Sequence, residues 1–275
     1  MSAKQTVNGI PKIGFGTWNR NGQVAYDSVR CALDIGYRHI DTAEGYNNEE
    51  FVGAAIAESG LSRDGVFLTT KVAPESFGPG QIMPHVRASL DKLRVDKVDL
   101  LLLHYPSIGD EYDIEDYMAQ FAEVFDAGLT ARLGVSNFTK LYIDRASELL
   151  GDRVIATNQV EIHPHMQNRP IVEHCKKAGI PLTAYSPLGR GAVNDDETLC
   201  RIGSAHGATA AQIALAFLMA EGFMVIPSSG NQGRIAENFA SQEIVLSEDD
   251  IRDIRMLDKG FRLVNGPWCP EWDVA

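Results

Sequence analysis

Eight times between residues 13 and 240, a short run of uninterrupted apolar residues is followed by a stretch with helical period. That recurrence constrains the fold more than any other feature of the chain. A strand buried on both faces shows no polar side, so it reads as a continuous apolar run instead of an alternation. Parallel neighbours also need a long crossover, which the helices supply. The predicted strands lie at about 14–18, 39–41, 66–70, 98–103, 131–135, 155–160, 181–185 and 223–226. The predicted helices lie at about 24–34, 49–59, 80–93, 114–126, 140–150, 170–178, 197–206 with 210–221, and 233–240, with an accessory helix over 248–257. Eight such units in 275 residues predict an α/β fold of the (β/α)8 TIM barrel type. No Gly-x-Gly-x-x-Gly follows an early strand, which argues against an open dinucleotide-binding sheet.

Val7-Asn8-Gly9-Ile10 carries the Asn-Gly signal of a two-residue turn, so the first dozen residues are expected to form an N-terminal β-hairpin. After Leu257 a loop-rich C-terminal tail holds Trp268, Pro270 and Trp272. No linker rich in Pro, Gly or Ser interrupts the pattern, and residues 1–275 are expected to form one barrel domain. The formal charge of −12 argues against nucleic acid or an anionic membrane as partner, because both need a basic footprint. A small anionic cofactor needs only local donors and stays open. Cys31, Cys175, Cys200 and Cys269 show no C-x-x-C spacing, so no metal site, redox pair or disulfide framework is expected. Residues 1–7 have no apolar core and no run reaches membrane length, which makes cytoplasmic localisation the expectation.

In a barrel of this kind the active site is built where the strands end. Those ends collect Asp41 with Tyr46 just beyond it, Lys71, His104, Ser136 with Asn137, Gln159, and Tyr185 with Ser186. A phenol with an ordinary pKa of about 10 is a poor acid at neutral pH. A lysine ammonium close by favours the phenolate and is expected to lower that value. Asp41 would keep Lys71 charged, and His104 would hold a substrate oxygen and turn it toward Tyr46. Such a set protonates an oxygen that is gaining negative charge, as the reduction of a carbonyl requires. None of these side chains supplies a hydride, so a nicotinamide cofactor is implied.

Four segments then point to one family. Gly36 to Asn48 resembles G-x-R-x-x-D-T-A-x-x-Y-x-N, and residues 90–106, LDKLRVDKVDLLLLHYP, resemble a second signature. Gly134-Val135-Ser136-Asn137-Phe138 matches the motif after the fifth strand, and Ile226-Pro227-Ser228-Ser229 with Arg234, Glu237 and Asn238 resembles the segment that holds the adenosine half of a cofactor. Over nearly its whole length the chain resembles the aldo-keto reductases, in particular bacterial 2,5-diketogluconate and methylglyoxal reductases. The resemblance implies that Tyr46 is the general acid of a tetrad completed by Asp41, Lys71 and His104. It implies that Thr17 and Trp18 lie beside the cofactor, that Ser136, Asn137 and Gln159 hold the nicotinamide carboxamide, and that Tyr185 stacks on the ring. Ser186, Leu188 and Gly189 would wrap the pyrophosphate, and Glu237 and Asn238 would meet adenine.

Two departures stand out. Many relatives carry Lys where this chain has Ser228. Arg234, with the hydroxyls of Ser228 and Ser229, remains to engage a 2′-phosphate, so NADPH is the expected cofactor, with NADH as an alternative donor. The substrate pocket is expected to be lined by Trp18, Ala73, Tyr105 and Trp268, with Ala73 and Tyr105 standing where larger aromatics are common. The expected partner is a small carbonyl substrate, and the expected state a monomer. Two other readings are kept: a cofactor-binding regulatory barrel without turnover, and a metal-dependent barrel hydrolase built on His163-Pro164-His165.

Overall fold

The computed structural model describes residues 6–273. Strands β1 (Thr6–Val7) and β2 (Ile10–Pro11) form the antiparallel hairpin, pairing Val7 with Ile10. Asn8 and Gly9 both take positive φ, 49° and 79°, the conformation a tight primed turn demands. Ile10 is fully buried and packs with Phe67, Leu100, Ala156 and Met224, all at or next to the beginnings of barrel strands. The hairpin therefore plugs the end of the barrel opposite the predicted site.

The barrel strands are β3 (Phe15–Gly16), β4 (His39–Asp41), β5 (Phe67–Val72), β6 (Leu100–Leu103), β7 (Leu133–Ser136), β8 (Ile155–Glu161), β9 (Leu182–Tyr185) and β10 (Met224–Val225). All neighbours are parallel and lie in chain order. A parallel bridge between Ile13 and Val225 closes the ring, with Gly14 N donating to Val225 O at 2.8 Å and Gly16 N to Pro227 O at 3.0 Å. Closure needs glycine at position 16, because a Cβ there would stand 2.8 Å from the Ile226 carbonyl oxygen. The crossovers are α1 (Gln23–Ile35), α2 (Glu49–Ala57), α3 (Ile82–Leu93), α4 (Ile114–Asp126), α5 (Lys140–Leu150), α6 (Arg169–Ala178), the pair α7 (Glu197–His206) and α8 (Ala210–Ala220), and α9 (Gln232–Ala240), with α10 (Glu248–Arg255) appended.

The predicted architecture is thus the observed one, with instructive differences at the edges. The first and last barrel strands are two residues long, shorter than their apolar runs. Lys71 lies inside β5 and not beyond it, since the strand continues to Val72, while Gln159 lies inside β8 as expected, the strand running one residue further, to Glu161. Asn48 begins α2, yet its side chain does not cap the helix. It accepts from Thr42 Oγ1 at 2.8 Å and donates to the carbonyls of Thr17 and Arg20 at 3.0 and 2.7 Å, tying the loop after β3 to the loop after β4.

The tail crosses the C-terminal rim. Glu161, buried at the end of β8, accepts from the amides of Leu263 and Val264 at 2.7 and 2.8 Å. Further on, Asp273 accepts from the amide of Lys140 at 3.0 Å, the first residue of α5, so the tail itself supplies that helix's capping acceptor. Between these points the Arg262 guanidinium lies 4.0 Å from the centroid of Trp272.

Candidate active site

Asp41 ends β4, and a single 3₁₀ turn, Glu44–Tyr46, carries the chain back over the rim. Glu44 fastens that turn: it accepts from the Ala73 amide at 2.5 Å, Ser76 Oγ at 3.0 Å and His85 Nδ1 at 2.8 Å. From β5, Lys71 reaches across to Asp41 Oδ1 in a buried ion pair, to the Thr42 carbonyl at 2.8 Å and to the Tyr46 hydroxyl at 3.4 Å. The second oxygen of Asp41 accepts from Gln159 Nε2 at 2.8 Å, so the carboxylate has a donor on each side. The His104 ring stands edge-on to the Tyr46 ring, 5.5 Å between centroids. Four side chains from three adjacent strands and one loop therefore meet at one point.

Burial governs the protonation states there. It pushes the Tyr46 phenol well above its ordinary value, and the nearby Asp41 charge adds to that. The expectation that Lys71 acidifies Tyr46 is thereby reversed: the ammonium is already engaged by Asp41 and the Thr42 carbonyl, and desolvation disfavours the phenolate. Burial also lowers the Lys71 ammonium, against the opposing pull of Asp41. His104 is held well below the usual imidazole range by burial and then by the Lys71 charge, so its ring is neutral at neutral pH. The tyrosine carries its proton and the histidine is an uncharged donor.

Next to this group Ser136 Oγ donates to the Gln159 carbonyl at 2.8 Å. Asn137, at φ 62°, donates to the His104 carbonyl at 2.9 Å and accepts from the Tyr185 hydroxyl at 2.9 Å. Thr17 Oγ1 donates to the Asp41 carbonyl at 3.1 Å. Ser136, Asn137, Gln159 and Tyr185 are thus brought together around Asp41 and His104. Beyond them Ser186, Gly189, Arg190 and Gly191 take φ of 46°, 55°, 52° and 99°. The turn is tightened by its own backbone, with Gly189 N donating to the Ser186 carbonyl and Gly191 N to the Leu188 carbonyl, each at 2.9 Å. Leu188 in the same turn packs on the core. The Arg190 guanidinium lies 4.9 Å from the Trp18 ring centroid, joining this turn to the loop after β3.

At the far end of the cleft Ser228 Oγ is buried without a hydrogen-bond partner. Ser229 Oγ accepts from the Asn231 amide at 3.1 Å and from Arg234 Nε at 3.4 Å, while Asn231 caps α9. Glu237 turns one carboxylate oxygen to Thr209 Oγ1 at 2.6 Å, and Asn238 is buried on the same helix. An orphaned buried hydroxyl at Ser228 and an arginine at the start of α9 fit the binding of a nicotinamide dinucleotide.

On the substrate side Ala73 lies on the loop held by Glu44. Burial raises the Tyr105 phenol, and the tail's Trp268 lies near it. Trp272 is engaged elsewhere, donating to Asn265 Oδ1 at 3.0 Å. The His163 and His165 pair is taken up by carboxylates, Glu161 at 3.1 Å and Asp196 at 2.9 Å, and no group of metal-ligating side chains occurs among the described residues. Sequence reasoning missed Glu44, Asn48 as a loop tie, Glu161 and Arg20. Only Glu44 and Asn48 lie inside a recognised motif.

The profile of the aldo/keto reductase family matches residues 12–259. Methylglyoxal reductase DkgB of Escherichia coli O157:H7 is 43% identical, over 96% of this chain and 99% of that one. Glyoxal reductase of Bacillus subtilis is 37% identical over 97% of each chain. A crystal structure of a candidate 2,5-diketo-D-gluconic acid reductase B superposes with a TM-score of 0.92 at 38% identity, covering 96% of this chain and 94% of that one.

Proposed function

The chain belongs to the aldo/keto reductase family, a carbonyl-reducing oxidoreductase with a nicotinamide cofactor, and from that premise we propose that it is NADPH-dependent with Tyr46 as general acid. One observation carries this reading: the Tyr46 hydroxyl, 3.4 Å from Lys71 Nζ, is the protonated end of a buried chain that runs through Lys71 to Asp41 and Gln159. The neutral His104 beside it donates a hydrogen bond to the substrate oxygen without adding charge. As that oxygen gains electron density, the Tyr46 proton moves to it. Lys71 then faces the phenolate left behind, which is where its charge helps most. Asp41 and Gln159 keep Lys71 aimed. Bound in the cleft, the reduced nicotinamide supplies the hydride.

Ser136, Asn137, Gln159 and Tyr185 would hold the nicotinamide end, the turn Ser186–Gly191 the pyrophosphate, and Ser228, Ser229 and Arg234 the 2′-phosphate. NADPH is the preferred donor on this reading and NADH the second. The names of the relatives, methylglyoxal and glyoxal reductases, support small dicarbonyls as substrates, with keto-sugars next. The protein acts as a monomer in the cytoplasm. Oxidation of NADPH and of NADH is to be followed against a panel of aldehydes, dicarbonyls and keto-sugars. Turnover of a dicarbonyl with higher kcat/KM for NADPH is expected. Higher kcat/KM with NADH overturns the cofactor preference, and absence of turnover with every carbonyl favours the regulatory barrel.

A further inference from the structure

Ser228 stands where many family members have a lysine, and the structure brings a different cation to the same place. Arg20 sits on the loop after β3, remote in sequence from α9. The loop is fixed: the Arg20 amide donates to the Thr17 carbonyl at 3.1 Å, and Asn48 Nδ2 holds the Arg20 carbonyl at 2.7 Å. Its side chain runs over Gly230, where a Cβ would lie 3.8 Å from Arg20 Nε. One guanidinium nitrogen, Nη1, reaches the Asn19 carbonyl at 2.9 Å, while Nε is buried with no partner. On the other side of the same segment, Arg234 Nε reaches Ser229 Oγ at 3.4 Å. Two guanidinium groups therefore flank Ser229-Gly230, and the charge on Arg20 is disfavoured first by burial and then by Arg234. Neither makes a salt bridge to a carboxylate among the described residues, although the chain carries 37 acidic residues against 25 basic ones. Like charges flanking one short segment, with an unpartnered buried hydroxyl on Ser228 just before it in the chain, are arranged for a dianion.

We propose that Arg20 is a specificity-determining residue for the cofactor: with Arg234 and Ser228 it clamps the 2′-phosphate of NADPH, in the role left open by the missing lysine. The inference rests on the NADPH preference proposed above. Arginine suits the place better than lysine, since its planar fork presents two parallel donors to a phosphate. The clamp also comes from two parts of the barrel, the loop after β3 and the segment after β10, which border the seam where the ring closes. Binding of a 2′-phosphate would tie the two sides of that seam together.

Titration calorimetry of the whole protein with NADPH and with NADH tests this, using wild type, Arg20→Ala, Arg20→Lys and Arg234→Ala. Arg20→Ala is expected to weaken NADPH roughly 10- to 100-fold, the loss of a charged hydrogen-bonding partner, and to leave NADH unchanged. Arg20→Lys is expected to recover part of the loss, and the melting temperature without cofactor should not move. If wild type prefers NADPH but Arg20→Ala weakens both cofactors equally, or neither, the role of Arg20 is refuted while the NADPH reading stands. If wild type binds NADH as tightly as NADPH, the NADPH reading fails and the clamp fails with it.

Discussion

The two ends of the cleft are built on opposite plans. At the tetrad nearly every donor has its acceptor: Lys71 is held by Asp41 and the Thr42 carbonyl, Asp41 by Lys71 and Gln159, and Asn137 by Tyr185 and His104. At the Ser228 end a hydroxyl and a guanidinium nitrogen are buried without partners, and two arginines lie along one short segment. The first region is complete in itself. The second leaves donors unused. A site that must act the same way at every turnover benefits from internal saturation, whereas a site that must choose between two cofactors benefits from donors that only one of them satisfies.

The comparison breaks most sharply at Tyr46. Tyr46→Phe should lower kcat for reduction by roughly 10² to 10⁴ with both cofactors and leave their binding constants intact. Near-normal turnover in that variant would remove Tyr46 as the acid. In wild type the raised phenol and the lowered imidazole predict a rate that is flat across the neutral range. A decline is expected only on the alkaline side, where the lowered Lys71 ammonium gives up its proton before the raised phenol does.

Lys71→Met probes the saturation directly. It strands Asp41 as a buried carboxylate and should cost about 3–5 kcal/mol in denaturant unfolding. The double variant with Asp41→Asn should regain part of that loss, and strict additivity would show that the two groups do not act as a pair.

Acid should strike the saturated end through His39, buried beneath it on β4. Burial lowers its imidazole to about 4 from an ordinary 6.5, so the neutral form is the one the fold prefers. The associated stability is present above the ordinary value and is lost as pH falls from there toward about 4, at most about 3 kcal/mol. Urea midpoints against pH for wild type and His39→Gln should show the variant losing less on acidification, and parallel curves would exclude His39 as the source. The smallest effect is expected at the tail, where Asp273→Ala removes the acceptor at the start of α5. A loss of about 1 kcal/mol is expected, with KM for the carbonyl changed more than kcat.

How much of this was legible beforehand follows from what burial leaves in the sequence. Buried parallel strands have to be apolar, so the barrel and its order were readable from runs such as Leu100 to Leu103. Strand ends face one way in a barrel, so Asp41, Lys71 and His104 were readable as neighbours without a single distance. Strand length was less so at Lys71, because a polar residue that points into a barrel looks like the end of a strand. The Tyr46 phenol was misjudged for a related reason. Proximity to a cation is visible in a motif, but the desolvation that outweighs it is a property of the folded rim. Glu161 left no signal because the amides it holds, at Leu263 and Val264, lie far away in the chain, and Arg20 left none because Gly230 comes to it only in the fold.

The tail is held to the rim at two places, by Glu161 near residues 263 and 264 and by Asp273 on α5. Both fasteners work through backbone amides on one side of the bond, and an amide is the same whatever side chain it carries. The span between them, which includes Trp268 beside Tyr105, can therefore change its sequence without loosening either end. Descendants of this chain could rewrite a few residues there while the buried group of Asp41, Lys71 and Gln159 below is inherited unaltered.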